Sequence, residues 1–457
     1  MFAEPQRLFR LDCQAQNYAW GKVGSASLVA QYVENNGVAI DPSQPYAELW
    51  MGTHPNAPSR LRETTTNNST SASAPTLASY LALNSNARVL LGSPIYEKFG
   101  GELPFLFKVL SVAQALSIQA HPDKQLAEQL HRQFPQHYKD ANHKPEMAIG
   151  LTPFEMLCGF RNLPVIVRFL RDYPPLAELL GETIVQDLQD AAATEVEGVT
   201  PLHLQADQHR QRGREALQAL FHGLMTQEPE PVRQCIDALL AIKQPADHPV
   251  DILELLRRLN HQYPGDVGCL CIFVLNYFCL RRGEAIFLGA NEPHAYLFGD
   301  CIECMATSDN VVRAGLTPKF RDVNTLVNML TYTYGEAQDH IMEGTPAPAG
   351  SDPQVHVTVY DPPIPEFTVA RVNVASGGSA ISHELDPIPG PSIILVTEGQ
   401  GQIAMGGGVL GEHTTTPHLL QPGLVYFVGA DTPISITNLA ADNTDLVFYR
   451  AFCTVEH

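Results

Sequence analysis

Residues 115–124 read Ala115-Leu116-Ser117-Ile118-Gln119-Ala120-His121-Pro122-Asp123-Lys124. In a strand, Leu116, Ile118 and Ala120 point one way, and Ser117, Gln119 and His121 the other. Taken alone, that polar face is a solvated outer face. The upstream run Phe105-Leu106-Phe107-Lys108-Val109-Leu110 tips the balance, because an almost wholly apolar run marks a strand buried on both faces. A neighbour of such a strand lies inside too, so Ser117, Gln119 and His121 are expected to face an interior cavity. Buried polar groups need partners, and a metal ion is one. Gln119 and His121 are two residues apart, so their Cα atoms stand about 6.6 Å apart and both side chains reach one ion. Pro122 is expected to open a helix on which Leu126 and Leu130 share a face.

The chain has 457 residues, more than one ordinary core holds, so two or three domains are expected. A hydrophobic fraction of 44% and a charged fraction of 17% belong to a soluble globular chain. The 29 Lys and Arg against 49 Asp and Glu leave a net charge of -20. That balance argues against nucleic acid or an anionic membrane as partner, and it makes any local cluster of cations conspicuous. Nine cysteines, most set in apolar sequence such as Cys269-Leu270-Cys271-Ile272-Phe273-Val274, read as reduced core thiols rather than a secreted disulfide frame. Met1-Phe2-Ala3-Glu4-Pro5-Gln6-Arg7 has no apolar signal core, and no run reaches the length of a membrane span, so the expected compartment is the cytoplasm. Asn67 and Asn68 head Asn-x-Ser/Thr sequons inside a Ser/Thr-rich stretch, 63–75, which reads as a low-complexity surface loop.

Residues 8–60 alternate short apolar runs with turns. Trp20 and Trp50 are expected to fill core, with Glu48 and His54 in supporting positions. From 163 to 262 the apolar spacing is helical: Val165, Phe169 and Leu170 form one stripe, and Ile252, Leu255, Leu256 and Leu259 another. Tyr263-Pro264-Gly265-Asp266 closes this insert, and β-type sequence is expected from Val267. A short internal repeat follows. Gly283-Glu-Ala-Ile-Phe-Leu-Gly289-Ala290-Asn291-Glu292-Pro293-His294 matches Gly423-Leu-Val-Tyr-Phe-Val-Gly429-Ala430-Asp431-Thr432-Pro433-Ile434 in two glycines, an alanine and a proline. The last position differs, His294 against Ile434, which suggests two related β-barrels of which one is metal-competent. Strands are expected at Val355 to Tyr360, Phe367 to Val374, Ile393 to Val396 and Leu446 to Phe452. The expected organisation is mainly β with an α-helical domain: residues 1–162 with 263–345, a helical insert at 163–262, and a C-terminal β domain at 346–457 without metal ligands.

Four side chains are candidate ligands: Gln119, His121, Glu146 and His294. Lys144 and Glu146 share one face of a strand, and Tyr296 lies on the face of His294. Two imidazoles, a carboxylate and an amide oxygen suit zinc with positions left for substrate. One carboxylate leaves the ion net positive, as a Lewis acid requires. Two histidines and one glutamate also make the facial triad of an Fe(II) oxygenase. A second constellation runs from Asp309 to Asp322 and carries Arg313, Lys319 and Arg321 on a loop set by Gly315 and Pro318. A solvated charge run and an anion clamp suited to phosphate both fit this spacing. In Cys301-Ile302-Glu303-Cys304, alternation gives core thiols around an inward Glu303.

Gln16-Asn17-Tyr18-Ala19-Trp20-Gly21, Glu48-Leu49-Trp50-Met51-Gly52-Thr53-His54, Gln119-Ala120-His121-Pro122-Asp123-Lys124, His143-Lys144-Pro145-Glu146 and the stretch Asp309 to Asp322 together resemble the type I mannose-6-phosphate isomerase (phosphomannose isomerase) family of fungi and animals. The likeness runs nearly end to end. It implies a cupin-type (jelly-roll) catalytic barrel, an inserted helical domain and a C-terminal cupin-like barrel. It implies one zinc per chain on Gln119, His121, Glu146 and His294, with Arg313 essential and Ser117, Lys144 and Lys319 in the pocket. The reaction implied is the interconversion of mannose 6-phosphate and fructose 6-phosphate through an enediol, feeding GDP-mannose synthesis. Glu303 and Lys144 are both candidates for the base, with His54 and Asp309 in reserve, and Tyr296 and Asp309 are expected to contact substrate. The expected partner is a small sugar phosphate bound by a monomer. The competing expectations are a cupin-type Fe(II) oxygenase and a non-enzymatic sugar-phosphate-binding module.

Overall fold

The computed structural model describes residues 4–62, 74–83, 86–196, 203–243, 251–347, 353–376, 381–406, 416–440 and 444–454. Asn67 and Asn68, with most of the Ser/Thr-rich stretch, lie outside them.

The Phe105–Val112 strand is buried at every position. It runs inside a sheet between Glu48–Met51 and His294–Ala306. His294–Ala306 is the longest strand described, at 13 residues, and it serves two layers. Up to Phe298 it pairs with Phe154–Arg161 and Ile118–Ala120; from Gly299 it pairs with Phe105–Val112 and, from Cys301, with Glu146–Gly150. The changeover needs glycine. Gly299 has φ +114°, and a Cβ there would stand 2.4 Å from the Pro153 carbonyl oxygen. Pairing registers put Glu48, Trp50, Lys108, Cys301, Glu303 and Glu146 on one face of this sheet. The opposite face, with Leu49, Phe107, Val109, Met147 and Ile302, is part of a continuous core shared with Phe9, Phe367, Ile393, Phe427 and Tyr449. That is why Phe105–Val112 reads as almost wholly apolar, with Lys108 as its one charge.

The second group comes from an eight-stranded sheet made mostly by the C-terminal third of the chain. The first strand, Leu8–Asp12, is built into it between Val425–Val428 and Arg60–Leu61. Ser382–Leu385, Ile434–Asn438, Gly401–Met405 and His418–Leu420 form a four-stranded sheet. Its Ile403, Leu420, Ile434 and Ile436 share a core with Ile394, Val396, Tyr426 and Phe448 of the large sheet. The strands expected after residue 355 appear as Val355–Tyr360, Thr368–Val374, Ser392–Glu398 and Leu446–Phe452. Pairing among the described residues gives open, layered sheets rather than a closed ring.

The sequence repeat is a repeat of conformation. Gly283 and Gly423 have φ +79° and +89°, Asn291 and Asp431 have φ +63° and +54°, and Ala285–Leu288 answers Val425–Val428. His294 and Ile434 each begin the return strand.

Helices run from Leu163–Asp172 to Ile252–Gln262. Their buried stripes, with Ile166, Phe169, Leu220, Ile236 and Leu256, form one core with Ile118, Ala120, Val312 and Ala314. The helical insert therefore backs the two short strands that carry Gln119 and Arg313.

Four expectations are corrected. Only Ile118–Ala120 of the 115–124 stretch is strand, and the next helix is Lys124–Gln133, not one opened by Pro122. Asp123 caps it, its carboxylate accepting from Leu126 N–H at 2.9 Å, which satisfies an end donor that Pro122 cannot. Val267–Phe273 is a 3₁₀ segment, and strand resumes at Leu275. The segment is buried all round, so its apolar run carried no period to separate helix from strand. Trp50 is core, but Trp20 is half-buried and stacks on Tyr18 at 5.9 Å. All nine cysteines are free, and seven of them are buried.

Candidate metal centre and pocket

His121 follows the Ile118–Ala120 strand, Glu146 opens Glu146–Gly150, and His294 opens the long strand. One ligand atom from each comes within 4.8 Å of the other two. His121 Nε2 lies 3.4 Å from Glu146 Oε1, and His294 Nε2 lies 3.5 Å from Oε2. All three residues are buried. His121 Nδ1 sits 2.7 Å from the Asn310 carbonyl, and His294 Nδ1 sits 3.0 Å from the Glu292 carbonyl. Each ring therefore donates from Nδ1 to a backbone oxygen and turns the Nε2 lone pair inward. Both Nε2 atoms and Glu146 Oε2 are buried without a hydrogen-bond partner. Orphans of this kind are costly, and a divalent cation among them removes the cost. Burial lowers the His121 imidazole to about 4, so it is the neutral form that lines the site. Burial pushes the Glu146 carboxyl up, but Lys144 and His121 outweigh it and hold it well below the usual range. The donor set fits a divalent metal.

Gln119 is half-buried and stands opposite His294 on one side and Arg313 on the other. Neighbours in register project to the same face, so Arg313, Gln119 and His294 form one row. Ser117 Oγ donates to Gln119 Oε1 at 3.2 Å. Lys144 Nζ lies 3.1 Å from Glu146 Oε1, although the strand begins only at Glu146. Tyr296 is buried, and burial with the nearby Glu303 and Glu146 charges raises its hydroxyl far above the ordinary range.

A second cluster lies on the same face. Lys108 Nζ is 2.9 Å from Glu303 Oε2, 3.6 Å from Glu48 Oε2 and 4.9 Å from the centre of the Trp50 ring. Trp50 Nε1 donates to Glu48. Burial alone lowers the Lys108 ammonium, but Glu303 and Glu48 outweigh it, and the group stays charged. Burial raises the Glu303 carboxyl; Lys108 opposes this, and the Glu146 charge adds to it. His54 is buried edge-on to Trp50 and 3.5 Å from the half-exposed Asp309, whose carboxyl that contact lowers.

The cation-rich loop divides. Arg313 lies on the Val312–Gly315 strand and is partly buried, which lowers its guanidinium somewhat. Lys319 and Arg321 are exposed. The loop is fixed from outside: Asp266 Oδ1 accepts from Leu316 N–H at 2.8 Å and from Gly268 N–H at 2.7 Å. Leu316 is held at φ +53°.

Family models for the phosphomannose isomerase type I catalytic, helical insertion and C-terminal domains match residues 8–163, 181–275 and 358–408. The mannose-6-phosphate isomerase of Bos taurus is 44% identical over 98% of this chain and 99% of its own length. The chain belongs to the type I phosphomannose isomerase family. The Candida albicans mannose-6-phosphate isomerase is 41% identical over 98% of this chain and 99% of that one. Among solved structures, an arginine-to-alanine variant of phosphomannose isomerase from Salmonella typhimurium superposes with a TM-score of 0.75 at 29% identity, covering 98% of this chain and 100% of that one. A mannose 6-phosphate isomerase bound with zinc and yttrium gives 0.74 at 28% identity, with the same coverage.

Sequence reasoning named the family and, among its four candidate ligands, the three that the structure brings together, His121, Glu146 and His294, but it missed Lys108. Its signal was in view: one lysine in the middle of the run Phe105 to Leu110, where a buried strand tolerates a charge only if it is paired. The Asn310 and Glu292 carbonyls left no sequence signal, because any residue supplies a backbone oxygen.

Proposed function

We propose that this chain is a zinc-dependent aldose–ketose isomerase that interconverts mannose 6-phosphate and fructose 6-phosphate through an enediol, upstream of GDP-mannose synthesis. Membership of the isomerase family supports the enzyme class, and the substrate is that of the relatives' names. The observation that carries the reading is the trio of orphaned inward atoms on His121, Glu146 and His294. Gln119, opposite His294, completes the proposed ligand set with an amide oxygen. Zinc bound there supplies Lewis acidity that eases removal of the proton beside the carbonyl.

The remaining roles follow from position. Arg313, next to Gln119, holds the phosphate or the oxygens that gain charge, with Ser117 and Lys319 beside the same strand and loop. Half-exposed Asp309, paired with His54, and buried Tyr296, packed beside His294, are the proposed further substrate contacts. Glu303 is the preferred base. Its raised carboxyl suits carrying a proton between C1 and C2, and Lys108 holds Oε2 in place. Lys144 is the alternative, but its ammonium is engaged by Glu146. In the same reading the catalytic unit is a cupin-type double layer of residues 1–162 and 263–345, interrupted by the helical insert 163–262. Residues 346–457 form a related unit without ligands, with Ile434 where the catalytic unit has His294.

A coupled isomerisation assay on dialysed and zinc-restored protein, with metal analysis, tests this. Turnover is expected to vanish with zinc and return with it. Iron in the purified protein together with oxygen uptake would replace it with the oxygenase reading.

A further inference from the structure

The motif His143-Lys144-Pro145-Glu146 supplies a lysine and a ligand, but its histidine faces elsewhere. His143 Nε2 lies 2.6 Å from Glu366 Oε1. Glu366 stands just before the Thr368–Val374 strand of the C-terminal sheet, 223 residues along the chain. We propose that Glu366 is a positioning residue for Lys144: through His143, the C-terminal unit sets where the lysine ammonium stands in the catalytic pocket. This rests on the isomerase reading of that pocket.

The segment that Glu366 holds is short and tethered on both sides. Upstream, Asn142 Nδ2 donates to the Thr307 carbonyl at 3.1 Å, and Asn310 Nδ2 donates to the Asn142 carbonyl at 2.9 Å. Downstream, Ala306 N–H donates to the Pro145 carbonyl at 3.1 Å. Asn310 is also the residue whose carbonyl orients His121. Between these tethers, His143 is the only residue of the segment that an acidic side chain of the C-terminal unit reaches, among the described residues. Pro145 locks its own φ and restricts Lys144, so a rotation at His143 passes to the lysine with little slack.

Glu366 is itself firmly placed. Phe367 beside it is 1% exposed in the core between the sheets, and Cys453 Sγ donates to the Pro365 carbonyl at 3.2 Å. Its second oxygen, Oε2, is buried without a partner. A contact that served only to glue two units would be better made by apolar groups, because an orphaned carboxylate oxygen is a standing cost. The cost is accounted for if the carboxylate fixes the imidazole, as carboxylates fix the histidines of other sites. A misplacement of about 1 Å at a reacting group is enough to lose a large factor in rate.

The test is a double-mutant cycle in the full-length zinc enzyme, with kcat, KM and zinc content read for each variant. Glu366→Ala should lower kcat about tenfold while zinc content and KM stay within about twofold. Glu366→Gln should recover most of the loss, because its amide oxygen accepts the same N–H. In a Lys144→Ala background, Glu366→Ala should cost nothing further. Full kcat in Glu366→Ala beside an impaired Lys144→Ala overturns the proposal. So does an undiminished tenfold loss on top of Lys144→Ala, or a loss of zinc that matches the loss of turnover. A fully active Lys144→Ala also overturns the proposal, while the isomerase reading with Glu303 as base stands; that reading fails instead if zinc-restored wild-type protein does not isomerise the sugar phosphate.

Discussion

At the scale of single residues, the pocket is a buried lattice of charges in which Lys108 and Lys144 offset Glu48, Glu146 and Glu303. Removing one member leaves its partners uncompensated. Lys108→Met would leave Glu48 and Glu303 without the cation they share, and is expected to lower unfolding free energy by about 3–5 kcal/mol in urea titration. It should also abolish turnover, since Lys108 holds the preferred base. His294→Ala removes one of two inward Nε2 atoms. Metal analysis should find zinc lost in step with activity, and full zinc with full turnover would refute the ligand set. The ligand cluster beside this lattice was readable beforehand as candidates: Gln119 and His121 by spacing, Glu146 and His294 by type. Lys108 did not, because a lysine declares its role only through the acids set opposite it.

At the scale of elements, a strand of 13 residues links two layers, and a loop is pinned by a residue from the end of the helical insert. Gly315 and Gly268 touch backbone to backbone: a Cβ on Gly315 would stand 2.6 Å from Gly268 Cα. Leu316 next to it occupies a left-handed conformation that costs about 1–3 kcal/mol and persists only under external restraint. Gly315→Ala is therefore expected to displace Arg313, two residues upstream. Steady-state assays should show kcat down by about tenfold or more with zinc content intact. The three cations of this loop were legible, and so was its glycine. Asp266 as its anchor was not, since it lies 50 residues away in sequence. The loop's cations also part company: Arg313 goes inward and Lys319 and Arg321 outward, a distinction that spacing leaves open.

At the scale of the whole molecule, the catalytic sheet has no solvated side. One face carries the pocket, and the other is covered by the C-terminal sheet through a single apolar core. Phe427 is fully buried in that core and stacks on Phe9 at 5.1 Å. Phe427→Ala should cost about 3–5 kcal/mol. Because both sheets lose the same contacts, calorimetry should record one transition shifted downward rather than a C-terminal unit melting first. Two separate transitions would show that the sheets do not share their stability. The same packing makes the C-terminal sheet a wall that holds the site sheet, and it brings Glu366 to His143.

Local chemistry was enough to write down the ligand types, the fully buried strand, the helical insert, the repeated glycine turn and the free thiols. Each follows from properties that neighbours in the chain share: side-chain alternation, helical spacing, and the need of a buried charge for a partner. The meeting of His121, Glu146 and His294 at one point depends on pairing registers between strands far apart in the chain. So do the offset of Lys108 by two carboxylates and the reach of Glu366 to His143. Register is a property of the packed whole. A slip of one residue would leave every local pattern intact while turning each of these side chains to the opposite face.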